Sequence, residues 1–318
     1  DWNHENEVVR SHVKESLEYL LTEYKVDGFR FDLTKGFSNR KCDESTASSY
    51  DQSRVDILKD YNSAIKKVKS DAVVILEHFC ETKEENTLAQ DGMKVWRNVN
   101  YAFCQAAMGF SSGSDFGGLW TGSSMPFGSL VGFSESHDEE RSAYKSLTYG
   151  DASVKGSLKA RMQRESLCAA FLLCVPGPKM LWQFQELGYD ESIETGGRTG
   201  RKPLHWEYLE VSERKALHDD YRSLIKFRKD NPEFFTKDAN VSLKIGSANW
   251  AGGRTISITS GQKSFILVGN FGTSASNINV SFPSEGTWTN YLDAKESYSS
   301  SSASLDMEAA EWRIFIKQ

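Results

Sequence analysis

Residues 26–33 read VDGFRFDL, a short apolar and aromatic run with β character that ends in a loop rich in Ser, Asn and Lys. A period of two along it puts Gly28, Arg30 and Asp32 on one face and Phe29 and Phe31 on the other. Before it, Val9, Val13, Leu17, Leu20, Leu21 and Tyr24 recur at helical spacing behind Asn6, which predicts a capped amphipathic helix over 6–24. The order helix then strand repeats at once. Leu58, Tyr61, Ile65 and Val68 mark a second helix, and residues 72–76 (AVVIL) read as a strand buried on both faces. Such alternation predicts an α/β fold, a parallel sheet covered by helices.

Further strands are expected over 94–99, 129–133 and 178–182, with a helix over about 157–174, giving five strands in the parallel section. Between them, residues 111–128 are dense in Gly and Ser and carry Phe116, Trp120, Met125 and Phe127, the texture of a long structured loop. A last helix bearing Leu217, Tyr221, Leu224 and Ile225 is stopped by Asn231-Pro232. After about residue 237 the texture changes. Short alternating strands are expected over 241–245, 255–259, 264–268, 278–282, 287–292 and 312–316, separated by Gly- and Ser-containing turns. Two domains are therefore expected: 1–237, and an antiparallel β-sandwich over 238–318. The Ser-rich residues 297–304 are expected to form a solvated hairpin loop.

The 318-residue chain has a globular composition and a net charge of -6, so it carries no basic field for nucleic acid. No apolar stretch reaches the length of a membrane span. The five cysteines form no C-x-x-C or Cys/His cluster, so neither a metal knuckle nor a full disulfide framework is indicated, and they are read as mostly buried thiols.

Three acids close strand-like runs. Asp32 ends the first, and Glu77, sharing a face with Val73 and Ile75, ends the second. Asp138, in Ser136-His137-Asp138, follows Val131 and Phe133. A lone acid at a strand end is usually a cap or a surface residue. Three at the carboxyl ends of separate strands in one parallel sheet lie where barrel enzymes keep their chemistry. Retaining hydrolysis of a glycosidic bond needs one carboxylate as nucleophile and a second, protonated, as acid and then base. Arg30 is expected to hold Asp32 ionised, while Glu77, rising from an apolar strand, keeps its proton.

At these residues the chain resembles the α-amylase family of glycoside hydrolases, in which four short motifs surround the site of a (β/α)8 barrel. Residues 27–35 (DGFRFDLTK) resemble the fourth-strand motif, which implies Asp32 as nucleophile, Arg30 as its orienting partner and Lys35 as a sugar contact. Leu76-Glu77 resembles the fifth-strand motif and implies Glu77 as acid/base. Ser136-His137-Asp138 resembles the seventh, implying that Asp138 grips sugar hydroxyls with His137 beside it. Residues 178–188 (PKMLWQFQELG) resemble the eighth strand and its loop, and the β-rich tail the family's C-terminal sandwich.

The third-strand motif and the first three strands have no counterpart. Five strands cannot close a barrel. The fold expected is thus a partial (β/α)8 TIM barrel, about strands 4 to 8, followed by an all-β sandwich, with the missing N-terminal barrel segment of the same polypeptide as its partner. The resemblance implies an α-glucan as substrate and α-1,4-glucan hydrolysis as activity, or transglycosylation by the same carboxylates. A non-catalytic glucan-binding fragment is the reading from another class. No cofactor is expected beyond a calcium ion that the complete protein could hold, and the substrate class slightly favours a secreted or periplasmic location. His78, where an aromatic or aliphatic residue is commoner, is expected to tune the acid.

Overall fold

The computed structural model describes residues 2–122 and 124–317. Ser123, within the expected loop, and Asp1 and Gln318, the outermost residues of the two expected domains, lie outside the described residues. Contacts divide the chain into two units, Asp1–Arg97 with Thr121–Val131, and Asn98–Trp120 with Gly132–Gln318.

The chain opens with α1 (Glu7–Thr22), β1 (Gly28–Phe31), α2 (Gln52–Val68), β2 (Val73–Leu76), α3 (Thr82–Gln90), β3 (Lys94–Asn98), α4 (Asn100–Met108) and β4 (Leu130–Phe133). The four strands form one sheet in the order β1-β2-β3-β4. Asn6 caps α1 by accepting from the Val8 amide, and Asp51 caps α2 by accepting from Ser53. In the first unit Leu17 and Leu21 of α1, Val55, Leu58 and Ile65 of α2, and Val74 and Leu76 of β2 make a common core.

Two expectations about buried faces are corrected. Leu20 and Tyr24 are exposed, because the side of α1 that enters the core carries Val13, Leu17 and Leu21. Strand β2 is buried on one face, not two: Val74 and Leu76 are buried while Val73 is 39% exposed. The exposed face is the one that Arg30, Asp32 and Glu77 share, as strand alternation requires.

The second unit continues with α5 (Ser142–Tyr149), α6 (Ala152–Lys155), α7 (Leu158–Cys174) and α8 (Ser212–Asp230). Helix α7, capped by Ser157, is buried almost all round, which its continuous run of Leu, Ala, Cys and Phe permits. It packs with α8 through Leu217, Tyr221, Leu224 and Phe227, whereas Ile225 is exposed.

Residues 178–182 do not form the expected fifth strand. Lys179 makes an isolated parallel bridge to Gly132, with the Gly132 amide donating to Pro178 and the Met180 amide to Gly132. Pro176 and Pro178 lack the donors that a longer ladder needs.

The tail comprises β5 (Asn240–Lys244), β6 (Arg254–Ser260), β7 (Lys263–Gly269), β8 (Ser276–Ser281), β9 (Trp288–Asn290), β10 (Ser297–Tyr298), β11 (Ser302–Met307) and β12 (Trp312–Lys317). A six-stranded sheet, β10-β9-β12-β7-β6-β5, faces the pair β11-β8 across Ile266, Val268 and Phe315 on one side and Ile278, Val280, Leu305 and Met307 on the other. The expected loop over 297–304 is mostly strand. Leu305 and Met307 point inward and Ser302, Ser304 and Asp306 outward, an alternation that the serine content masks. The chain is therefore a partial (β/α)8 barrel followed by an all-β region.

Register in the first pair is tight. Gly28 sits opposite Val73, and a Cβ there would lie 2.0 Å from the Val73 carbonyl oxygen. Gly28→Ala should therefore destabilise the chain by about 2–3 kcal/mol, measured by urea denaturation. An unchanged midpoint would show that β1 and β2 need not approach so closely.

Candidate active site

Parallel pairing of Phe31 with Leu76 carries the chain on to Asp32 and Glu77, and the Glu77 amide donates to the Phe31 carbonyl at 3.0 Å. Arg30, on the same face, then reaches both acids. Its Nη1 donates to Asp32 Oδ1 at 2.6 Å, and its Nη2 lies 3.0 Å from Glu77 Oε2, close enough for an ion pair but without hydrogen-bond alignment. The guanidinium also stands 5.5 Å from the centre of the Trp96 ring. Arg30 thus serves two carboxylates rather than Asp32 alone. What separates the two is solvent: the Asp32 side chain is 77% exposed and that of Glu77 only 13%.

The loops that follow both strands turn through left-handed residues. Leu33 has φ 42° and Phe79 φ 49°, conformations that cost a non-glycine residue of the order of 1–3 kcal/mol. At Leu33 the turn aims the backbone amide at Glu77 Oε2, 2.9 Å away. Thr34 then donates its amide and its hydroxyl to the Glu77 carbonyl. Lys35 lies in the short turn Thr34–Gly36; its carbonyl accepts from Arg54, and its ammonium makes no ion pair among the described residues.

His78 is fully buried and faces away from solvent. One ring nitrogen bonds to the Thr34 hydroxyl at 2.9 Å, the other to Glu84 Oε1 at 2.8 Å. Its link to Glu77 therefore runs through Thr34. Glu84, in the first turn of α3, also accepts two bonds from Arg54 of α2, at 2.6 and 2.8 Å, and one from the Asp51 amide. Burial raises the Glu84 carboxyl, but the bonds from His78, Arg54 and Asp51 outweigh it and leave it below the ordinary glutamate range. Ligand atoms of His78, Cys80 and Glu84 lie within 4.8 Å of one another. The trio does not fit a cation, because Arg54 already neutralises Glu84 and burial pushes the Cys80 thiol up to about 12.

In the second unit, the loop after β4 carries Glu135-Ser136-His137-Asp138. Gln185 donates to Ser134 at the strand end, and the Asp138 amide donates to Ser136 Oγ. His137 Nε2 stands 3.2 Å from Asp138 Oδ2, and Trp182 lies 5.8 Å from the imidazole, centre to centre. Arg198 donates to the Asp138 carbonyl at 2.8 Å and approaches Oδ1 at 3.8 Å. His137, Asp138, Trp182 and Arg198, with Arg141 and Tyr189, line a cavity of about 320 Å³. Half-buried carboxylate, imidazole and aromatic faces around a space of that size suit a sugar ring.

Sequence reasoning did not find Arg54, Glu84, Glu135, Arg141 or Arg198 as members of these networks. Glu135 and Arg141 flank the quoted Ser136-His137-Asp138 motif, and Arg198 stands in Gly196-Gly-Arg-Thr-Gly200, a turn-rich loop; both were local signals. Arg54 and Glu84 gave none, since charged residues at helical spacing usually mark a solvated face.

A partial parallel barrel with acids at the carboxyl ends of its strands defines an α/β-barrel enzyme class. The family described as "Alpha amylase, catalytic domain" matches residues 1–246. The chain belongs to the alpha-amylase family. No curated protein sequence matches it. Among solved structures, the alpha-amylase of H. orenii is 17% identical with TM-score 0.68, and an Anoxybacillus alpha-amylase is 13% identical with TM-score 0.67. A pullulanase from Anoxybacillus sp. LM18-11, complexed with maltotetraose, is 16% identical with TM-score 0.70. The matches cover 100%, 98% and 100% of this chain, but it spans only 66%, 63% and 48% of those chains.

Removing one partner of the Arg54–Glu84 pair strands a buried charge. Arg54→Met should cost about 3–5 kcal/mol in urea denaturation, and the double variant Arg54→Met/Glu84→Gln should recover part of that loss. A single variant as stable as the parent would mean that the pair contributes nothing to holding the loops behind Glu77.

Proposed function

We propose that this chain supplies the catalytic carboxylates of a retaining glycoside hydrolase acting on α-1,4-glucosidic bonds of starch- or glycogen-type glucans and maltooligosaccharides. The observation that carries the reading is the single Arg30 guanidinium reaching both Asp32 and Glu77. Retention needs two carboxyls about 5–5.5 Å apart, and a spacing that one guanidinium spans is short in that sense. The exposed Asp32 carboxylate attacks the anomeric carbon, while Glu77, the more buried of the two, gives its proton to the departing glycosidic oxygen. Glu77 then takes a proton from water, which displaces Asp32 and releases the sugar. Asp138 and His137 grip ring hydroxyls, Arg30 orients the nucleophile and Lys35 contacts a neighbouring sugar.

A four-stranded sheet does not close an eight-stranded barrel. Turnover is therefore assigned to a polypeptide that carries the remaining strands as well, with residues 1–237 as barrel and 238–318 as β-sandwich.

The test is hydrolysis of maltoheptaose by the full-length polypeptide. Asp32→Asn and Glu77→Gln should each lower kcat by roughly 10²- to 10⁴-fold or more. The first product should be the α-anomer by NMR. A β-anomer would sink retention, unchanged rates would sink the assignments, and products longer than the substrate would make the enzyme a transglycosylase.

A further inference from the structure

Behind the His137–Asp138 cavity two glutamates meet on one serine. Ser142, the first residue of α5, has its hydroxyl oxygen 2.7 Å from Glu135 Oε1 and 2.7 Å from Glu165 Oε2. A hydroxyl has one hydrogen and can donate to only one of them. Glu135 has the better claim to a negative charge, because Oε1 also receives the Ser142 amide at 2.8 Å and Oε2 receives Arg141 Nη1 at 2.8 Å. Glu165, on α7, has no such support: it is 5% exposed and its Oε1 has no hydrogen-bond partner among the described residues. With both acids ionised, the serine lone pairs would face a buried anion at bonding distance.

We propose that Glu165 is a positioning acid that carries a proton. It donates to Ser142 Oγ, directs the serine hydrogen onto Glu135, and so fixes the Glu135–Arg141 pair that backs the Asp138 cavity. The coupling to the cavity is direct. The Arg141 guanidinium lies 4.7 Å from the centre of the Tyr189 ring and 5.9 Å from that of Trp182, both walls of the cavity. As a role in the reaction, this rests on the reading of that cavity as a sugar site.

The surroundings agree. Burial first, and the Glu135 charge second, push Glu165 up to about 8. From its own helix it faces Arg164 and Cys168, but Arg164 spends its donors on the carbonyls of Ala106, Ala107 and Phe271. Burial raises the thiols of Cys168 and of Cys104 on α4, and the phenol of Tyr221 on α8, so all three are neutral. Lys145 of α5 bears electrostatically on the same cluster through Cys104. The cation bonded to the carboxyl pair is Arg141.

The folded chain keeps this proton where an unfolded glutamate gives it up. The stability it contributes therefore declines as pH rises from the ordinary glutamate range to about 8, and changes no further above that. Infrared difference spectroscopy on the full-length polypeptide should show a neutral carboxylic C=O band at neutral pH that disappears in Glu165→Gln. The glutamine amide can still donate to Ser142, so E165Q should keep its maltoheptaose affinity between about pH 7 and pH 9, while the parent loses several-fold over that range.

No E165Q-sensitive band, or parallel alkaline losses in parent and E165Q, would overturn the proposal. Should E165Q fail to fold, Ser142→Ala provides the second test: the band should persist but shift, because its acceptor is gone, and an unmoved band would sink the bridge. Absence of maltoheptaose binding at every pH with the band intact would instead remove the glycosidase reading and leave the proton where it is assigned.

Discussion

The parallel register of β1 on β2 is the constraint on which the site depends. Four residue pairs, Gly28 with Val73 through Phe31 with Leu76, decide that Asp32 and Glu77 leave the sheet side by side and on the same face. A slip of one residue would send either acid into the helix-facing core, where Leu76 and Val74 now lie. Gly28 enforces the register because its position against the Val73 carbonyl admits no side chain. Arg30 then reaches two acids instead of one while leaving Asp32 open to solvent.

Holding two acids together costs energy, and the cost is met by structure behind the strands. Leu33 and Phe79 are kept in left-handed conformations, a strain that persists only where surrounding bonds over-determine it. Those bonds are visible: Thr34 to the Glu77 carbonyl, His78 to Thr34, Glu84 to His78, and Arg54 to Glu84 and to the Lys35 carbonyl. The chain of contacts ties both strand-end loops to α2 and α3. It makes His78 a structural residue, which explains why its imidazole is buried beside Glu77 in sequence and yet bonded to Thr34 and Glu84.

The alternation of helix and strand, the faces of β1 and the cap at Asn6 were legible because each is a local pattern. The acids were legible because carboxylates at the ends of apolar runs break that pattern. What was hidden is of two kinds. Residues 178–182 look like a strand in composition, yet proline removes the donors and leaves a single bridge. Residues 297–304 look like a serine loop, yet from Ser302 the chain is strand, because Leu305 and Met307 supply an inward face once β8 lies beside them. Tertiary partners decided both. The same holds for Arg54 and Glu84, 30 residues apart, whose pairing exists only after α2 and α3 have docked.

Each unit, taken by itself, carries an accessible acid together with a buried ion pair. Asp32 is backed through Arg30 and Glu77 by Arg54–Glu84, and Asp138 is backed by Arg141–Glu135. A buried pair is a poor source of net stability, since desolvation offsets most of its attraction. It is a stringent source of geometry, because any displacement leaves a charge uncompensated in a medium that cannot solvate it. Apolar packing alone would let a loop settle in several nearly equal positions. The glycosidase reading proposed above requires little such freedom, since reacting groups must be held within a fraction of an ångström. On this argument the buried pairs are retained for the precision they impose on exposed carboxylates, which solvent would otherwise leave free to move.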